Sequence, residues 1–135
     1  MANETKNENK HVILKPLTLD DVDRMMTWVN DPTIVGNFQN FGRPFTREDE
    51  ERYVAKMLTS PTDRVYTIWT PQETYVGNVG IHQIFWPSRN GRLGLFIGNK
   101  AEQGKGYGQA AVKEVLKEGF GTLMLHMIWL KYFET

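Results

Sequence analysis

Gly91-Arg92-Leu93-Gly94-Leu95-Phe96-Ile97-Gly98, followed after four residues by Gln103-Gly104-Lys105-Gly106-Tyr107-Gly108, is the stretch that decides the fold. Arg92–Ile97 reads as a strand, Gly98–Gln103 as a loop, and the glycine cluster as the opening of a helix. That helix shows its apolar face at Ala111, Val112, Val115, Leu116 and Phe120, and Gly119 and Gly121 are expected to end it. Leu123–Phe133 then reads as a strongly apolar last strand. A strand, a helix and a strand in that order normally place the two strands parallel and adjacent.

Upstream the apolar period is two. Val65–Trp69 and Tyr75–Trp86 read as strands with a turn at Pro71-Gln72-Glu73, and Asn90-Gly91 predicts the hairpin turn into the next strand. Further back, Val12–Leu17 reads as a strand. Thr18 with Asp21 opens a helix carrying Leu19, Val22, Met25, Met26 and Val29, which Asn30-Asp31-Pro32 stops. After an irregular Thr33–Phe45, Thr46 with Asp49 opens a second helix to about Leu58, closed by Thr59-Ser60-Pro61. The sheet is antiparallel first and parallel last, an α+β architecture with flanking helices.

Composition narrows the class. The 135 residues suit one domain, with Met1–Lys10 as a flexible polar tail and residues 11–135 as the folded part. No cysteine is present, which removes disulfides, thiolate metal sites and a Cys nucleophile. Sixteen basic residues balance sixteen acidic ones, so no footprint for nucleic acid exists. The longest apolar run, Leu123–Leu130, carries His126 and falls short of the ~20 residues that cross a bilayer. No membrane, no metal and a cytoplasmic location are expected.

Chemistry concentrates at Gln103–Gly108. Three glycines let the backbone approach a ligand closely and leave amides pointing outward at a helix N-terminus. Those donors and the positive end of the helix dipole favour an anion by ~0.3–2 kcal/mol, and Lys105 adds a charge. Diphosphate is the natural guest. The alternative is a tight connection that binds nothing. A P-loop fails, since Gly98 lies one residue too far from Gly104-Lys105 and Gly106 stands where a hydroxyl is needed. A dinucleotide fingerprint fails because Gln109 occupies the third glycine position and a meander precedes the turn.

Gln103-x-x-Gly106-x-Gly108, after a strand and opening a helix, resembles the acetyl-coenzyme A pyrophosphate loop of the GNAT acetyltransferases. Gly91–Gly98 is similar to that superfamily's fourth strand and Tyr75-Val76-Gly77-Asn78-Val79-Gly80 to its third. Lys15-Pro16-Leu17-Thr18-Leu19-Asp20-Asp21 and Trp28-Val29-Asn30-Asp31-Pro32 resemble the ribosomal-protein-alanine N-acetyltransferase branch. The resemblance covers about Val12 to Phe133.

It implies an N-acetyltransferase that moves acetyl from acetyl-CoA to an amine, either a protein N-terminal α-amine or a small amine. Backbone groups of Phe96, Ile97 and Gly98 would pair with the pantetheine arm. Amides from Gln103, Gly104, Lys105, Gly106, Tyr107 and Gly108 would hold the pyrophosphate. The acceptor would approach from Thr33–Phe45. Many members of the branch carry Glu at the start of the fourth strand; Arg92 stands there and cannot act as a base. An α-amine of pKa ~8 is about one tenth neutral at pH 7, a cost of ~1.4 kcal/mol, against ~4–5 kcal/mol for a lysine amine. Low-pKa amines are therefore the expected acceptors. No catalytic residue is assigned.

The family pattern also continues past the fifth strand with a Tyr-bearing helix and two more strands, so an incomplete domain is expected, its last strand covered by self-association or a partner. The alternative function is a non-catalytic CoA-binding or assembly module. His82 and His126, each alone on a strand, read as hydrogen-bonded structural residues. Glu48-Asp49-Glu50-Glu51 reads as a solvated first turn of a helix.

Overall fold

The computed structural model describes residues 11–28, 46–102 and 104–130. They fall into two compact units, one of residues 1–16 with 61–135 and one of residues 17–60. The Thr33–Phe45 segment, the Asn30-Asp31-Pro32 stop and the polar tail lie outside the described residues.

The larger unit is one mixed sheet with strands in sequence order: β1 (Ile13–Pro16), β2 (Arg64–Trp69), β3 (Tyr75–Phe85), β4 (Asn90–Ile97) and β5 (Met127–Leu130). The first three pairings are antiparallel and β4–β5 is parallel. This is the predicted α+β order. Register gives the sheet two unlike faces, because residues directly opposite share a face. Ile68, Val79, Ile81 and Leu93 lie on one, all buried. The helix following β4 packs there and buries Ala111 and Val115 with them. Each fully buried Val or Ile contributes about 1.5–3 kcal/mol relative to an exposed one.

The Asn90-Gly91 pair is not the hairpin turn. The turn is Trp86–Arg89, closed by the Arg89 amide on the Trp86 carbonyl at 3.1 Å, with Arg89 itself left-handed at φ 55°. Asn90 and Gly91 already belong to β4. Gly91 is required for packing instead: a methyl there would stand 2.6 Å from Ile81 Cγ2.

The last strand is shorter than its apolar run. Leu123 and Leu125 give their amides to the carbonyls of Glu118 (2.9 Å) and Gly119 (2.8 Å), so they close the preceding helix and cannot join the sheet. Residues 131–135 lie outside the described residues. The helix, α3 (Tyr107–Phe120), also departs from its predicted face. Phe120 is exposed, and buried Gly119 takes its place, since a methyl there would meet Ile128 Cδ1 at 2.5 Å.

The smaller unit holds α1 (Val22–Met26) and α2 (Arg47–Thr59), packed on each other. The first helix begins as a 3-10 turn, Leu19–Asp21, because the Thr18 amide and hydroxyl both donate to Asp21 Oδ2 while the Asp21 amide donates to the Thr18 carbonyl. At α2 the predicted capping box is complete: Thr46 Oγ1 accepts from the Asp49 amide (3.1 Å) and Asp49 Oδ2 from the Thr46 amide (2.8 Å). The helix ends at Thr59 because Ser60, before Pro61, is extended.

Candidate active site

The site is built where β4 runs out. Gly98 and Asn99 both donate their amides to the Val76 carbonyl, at 3.0 and 3.2 Å, which ends the β3–β4 ladder. Asn99 then turns the chain. Its Nδ2 donates to the Tyr75 carbonyl (3.2 Å), its Oδ1 accepts from the Ala101 amide (3.1 Å), and its carbonyl accepts from Glu102 (3.0 Å). The result is a 3-10 turn, Lys100–Glu102, pinned to β3. Asn99 belongs to none of the glycine motifs; an Asn directly after a strand is its signal in the sequence, since its side chain mimics a backbone turn.

Gly104 and Gly106 follow with φ of 77° and 89°, left-handed values that glycine adopts without strain. Gly106 caps α3, and the first bond into the helix is the Ala110 amide on the Gly106 carbonyl at 3.2 Å. The Gly108 and Gln109 amides precede that bond and lie outside the helical ladder. A methyl on Gly104 would have no atom within 4 Å, so the loop's outer side is open. Gly108 serves packing: a methyl there would lie 3.3 Å from Leu95 Cδ2 and 3.8 Å from Ile97 Cγ1, which lets the helix start close on the end of β4. Tyr107 is buried in the core below. Phe96, Ile97 and Gly98 are thus brought beside Gly104–Gly108 by one strand-to-helix connection. Gln103 lies outside the described residues.

Charge at the loop is mixed. Lys105 Nζ lies 3.5 Å from Glu102 Oε2, so the cation expected for a diphosphate is already facing a carboxylate.

The opposite face of the sheet is polar and aromatic. Trp69 and Tyr75 stack with ring centroids 5.2 Å apart, Lys15 Nζ lies 4.6 Å from the Trp69 ring centroid, and the Tyr75 hydroxyl donates to Asn78 Oδ1. Arg92 is directly opposite His82 in the register, and its Nε donates to Gln83 Oε1 at 3.3 Å. His82 is more than the isolated strand residue the sequence suggests. Its Nδ1 lies 2.9 Å from Asp63 Oδ1, and the other Asp63 oxygen accepts from the Thr62 hydroxyl at 3.2 Å. The ring edge rests on Gly80 and Gly94, which face each other across β3 and β4. Among the described residues no group of three His, Asp or Glu side chains could hold a metal ion, and no helix is long and apolar enough to cross a membrane.

The family described as acetyltransferase (GNAT) domain matches residues 11–135. No curated protein matches the sequence. Among solved structures, the spermidine N-acetyltransferase of Vibrio cholerae in complex with CoA and spermine aligns with a TM-score of 0.78 at 21% identity, covering 89% of this chain and 70% of that one. The spermidine/spermine N-acetyltransferase SpeG of the same organism, in complex with manganese ions, aligns with a TM-score of 0.71 at 21% identity, covering 93% and 69%. At this identity the likeness establishes a shared fold.

Proposed function

Since the chain belongs to the acetyltransferase (GNAT) domain family, whose acyl donor is acetyl-CoA, we propose that it acetylates the α-amine of a protein N-terminus or a small amine, in the ribosomal-protein-alanine branch. One observation carries the reading: the left-handed Gly104 and Gly106 open a fourteen-residue helix beside the end of β4. That arrangement supports a diphosphate on the backbone amides of Gln103–Gly108 and the helix dipole. The pantetheine arm is assigned to the backbone of Phe96, Ile97 and Gly98. Gly98 takes part through its carbonyl, because its amide is committed to Val76.

Residues 1–10 are assigned as a polar tail and residues 11–135 as the acetyl-CoA-binding domain, acting in the cytoplasm. Met127 and Trp129, exposed on the outer strand of the described sheet, support a second copy of the chain against β5. Light scattering that finds a monomer at high concentration would remove that assignment.

The test of function has two steps. Titration calorimetry with CoA should show binding. Thiol release from acetyl-CoA is then followed with a peptide beginning in Ala, spermidine, and a peptide whose only free amine is a lysine side chain. Release with any of these amines supports an N-acetyltransferase, preference for the Ala peptide supports the low-pKa acceptor, and a clear lysine preference would overturn the choice of acceptor. Binding without release would favour a CoA-binding module, as Arg92 in place of a carboxylate suggests.

A further inference from the structure

Transfer of acetyl to an amine requires a group that takes a proton from the amine, and Arg92 offers no lone pair for it. We propose that His82 Nε2 is that proton acceptor and that Asp63 is its positioning residue. The inference rests on the acetyltransferase reading and adds to it the residues that activate the acceptor.

Three observations converge. First, Asp63 Oδ1 lies 2.9 Å from His82 Nδ1. A carboxylate at that distance accepts from Nδ1–H, so in the neutral ring the lone pair lies on Nε2, facing away from Asp63. Asp63 is itself held, by the Thr62 hydroxyl on its other oxygen. Second, Nε2 has no hydrogen-bond partner among the described residues, yet it is not among buried unsatisfied atoms, of which there are none. The nitrogen therefore keeps some contact with solvent although the His82 side chain as a whole is only 16% exposed. Third, the ring lies on a floor of backbone. A methyl on Gly94 would stand 3.1 Å from Nε2 and one on Gly80 3.2 Å from it, so any larger residue at either position would crowd the nitrogen.

The strand geometry also aims this nitrogen. The register breaks between His82 and Phe85, and Gln83 takes φ 52°, the signature of a bulge that re-aims neighbouring side chains. From Gly94, Phe96 lies two residues farther along β4, about 7 Å at the rise of a strand. The imidazole, lying over Gly94, and the proposed pantetheine track at Phe96 are thus two residues apart on the same face of β4.

The step balances as follows. Nε2 takes one proton from the ammonium form of the acceptor. The freed nitrogen lone pair forms a C–N bond to the acetyl carbonyl carbon, and the C–S bond breaks. The departing thiolate takes the second amine proton through solvent, giving amide and free CoA thiol. The imidazolium then returns its proton to solvent.

The test uses the full chain with spermidine and the Ala peptide as probes. His82→Gln should lower kcat about 100-fold, the low end for general acid–base catalysis, with CoA affinity unchanged. Asp63→Asn should lower kcat about 10-fold or more while KM for the amine moves little, as expected for a misplaced tautomer. In the unaltered protein, nitrogen NMR of the His82 ring should show Nδ1 protonated, and Nε2 should shift when spermidine is added with CoA bound. Amine acetylation that persists within twofold in His82→Gln overturns this proposal alone. A ring protonated on Nε2 overturns it without any variant. Acetylation of no amine by the unaltered chain overturns the proposal together with the function it rests on.

Discussion

A methyl group on Gly77 would collide with the carbonyl oxygen of Phe96, the residue that faces its neighbour Asn78 across the β3–β4 ladder. No side-chain rotation can relieve that contact, because the oxygen is main chain. Gly77→Ala should therefore lower stability by about 2–3 kcal/mol, the upper part of the usual overpacking range. Urea unfolding measures it. Since Phe96 must move to make room, CoA affinity should fall as well.

Gly106 caps α3 at φ 89°. An alanine there carries about 1–3 kcal/mol of backbone strain. Relief by rotation toward ordinary helical values would turn the first-turn amides away from the loop's open side. Calorimetry with CoA should show Gly106→Ala weaker by tenfold or more, with only a modest drop in melting temperature. Unchanged affinity would argue that the loop does not hold the diphosphate.

Glu102 competes with any anion for Lys105, from 3.5 Å away. Glu102→Gln removes a repelling charge and releases the lysine. Pairs this exposed are worth about 0–1 kcal/mol, so CoA affinity should rise two- to fivefold at low salt. The gain should fade as salt is raised. Lys105→Ala should weaken binding by a similar factor.

Thr46 and Asp49 exchange two hydrogen bonds at the start of α2. Thr46→Ala should lose about 1 kcal/mol in urea unfolding. Asp49→Ala should lose a comparable amount, together with the carboxylate that Arg52 Nη2 meets at 2.7 Å. The double variant should lose less than the sum, since each single change already breaks the same reciprocal pair.

Glu50 is buried on α2, and its carboxyl is pushed above the usual carboxylate range, first by burial and then by the charge of Asp49. The folded state therefore holds this proton more tightly than the unfolded chain. The sign follows: stability is lost as pH rises from the ordinary carboxylate range through the raised folded value. Glu50→Gln should be more stable than the unaltered chain at neutral pH. The difference should shrink as pH falls into the carboxylate range, in thermal unfolding followed by circular dichroism.

Much of this was legible in the chain. Both capping pairs, the strand order and the parallel last pairing follow from local signals, because cap chemistry and apolar period act over a few residues. The glycine cluster was legible for the same reason: only a left-handed turn at a helix start calls for Gly104 and Gly106 so close together. The misreadings all involve long-range packing. Asn90-Gly91 has the composition of a turn, but its glycine answers to Ile81 on the preceding strand. Phe120 has the right period for the core, but Ile128 has already filled that space and leaves room only for Gly119. Leu123 and Leu125 look like strand residues until the last carbonyls of α3 claim their amides.

By itself, the sequence determined most of the strands and helices, the family they compose and the glycine loop that opens the last helix. Each of these rests on interactions within a few residues or on a pattern of periods. Only the tertiary structure decided that Asp63 meets His82, that the His82 ring lies over Gly94, and that Asn99 pins the loop to β3. Those pairings join residues that lie far apart in the chain, and sheet register alone sets which of them meet.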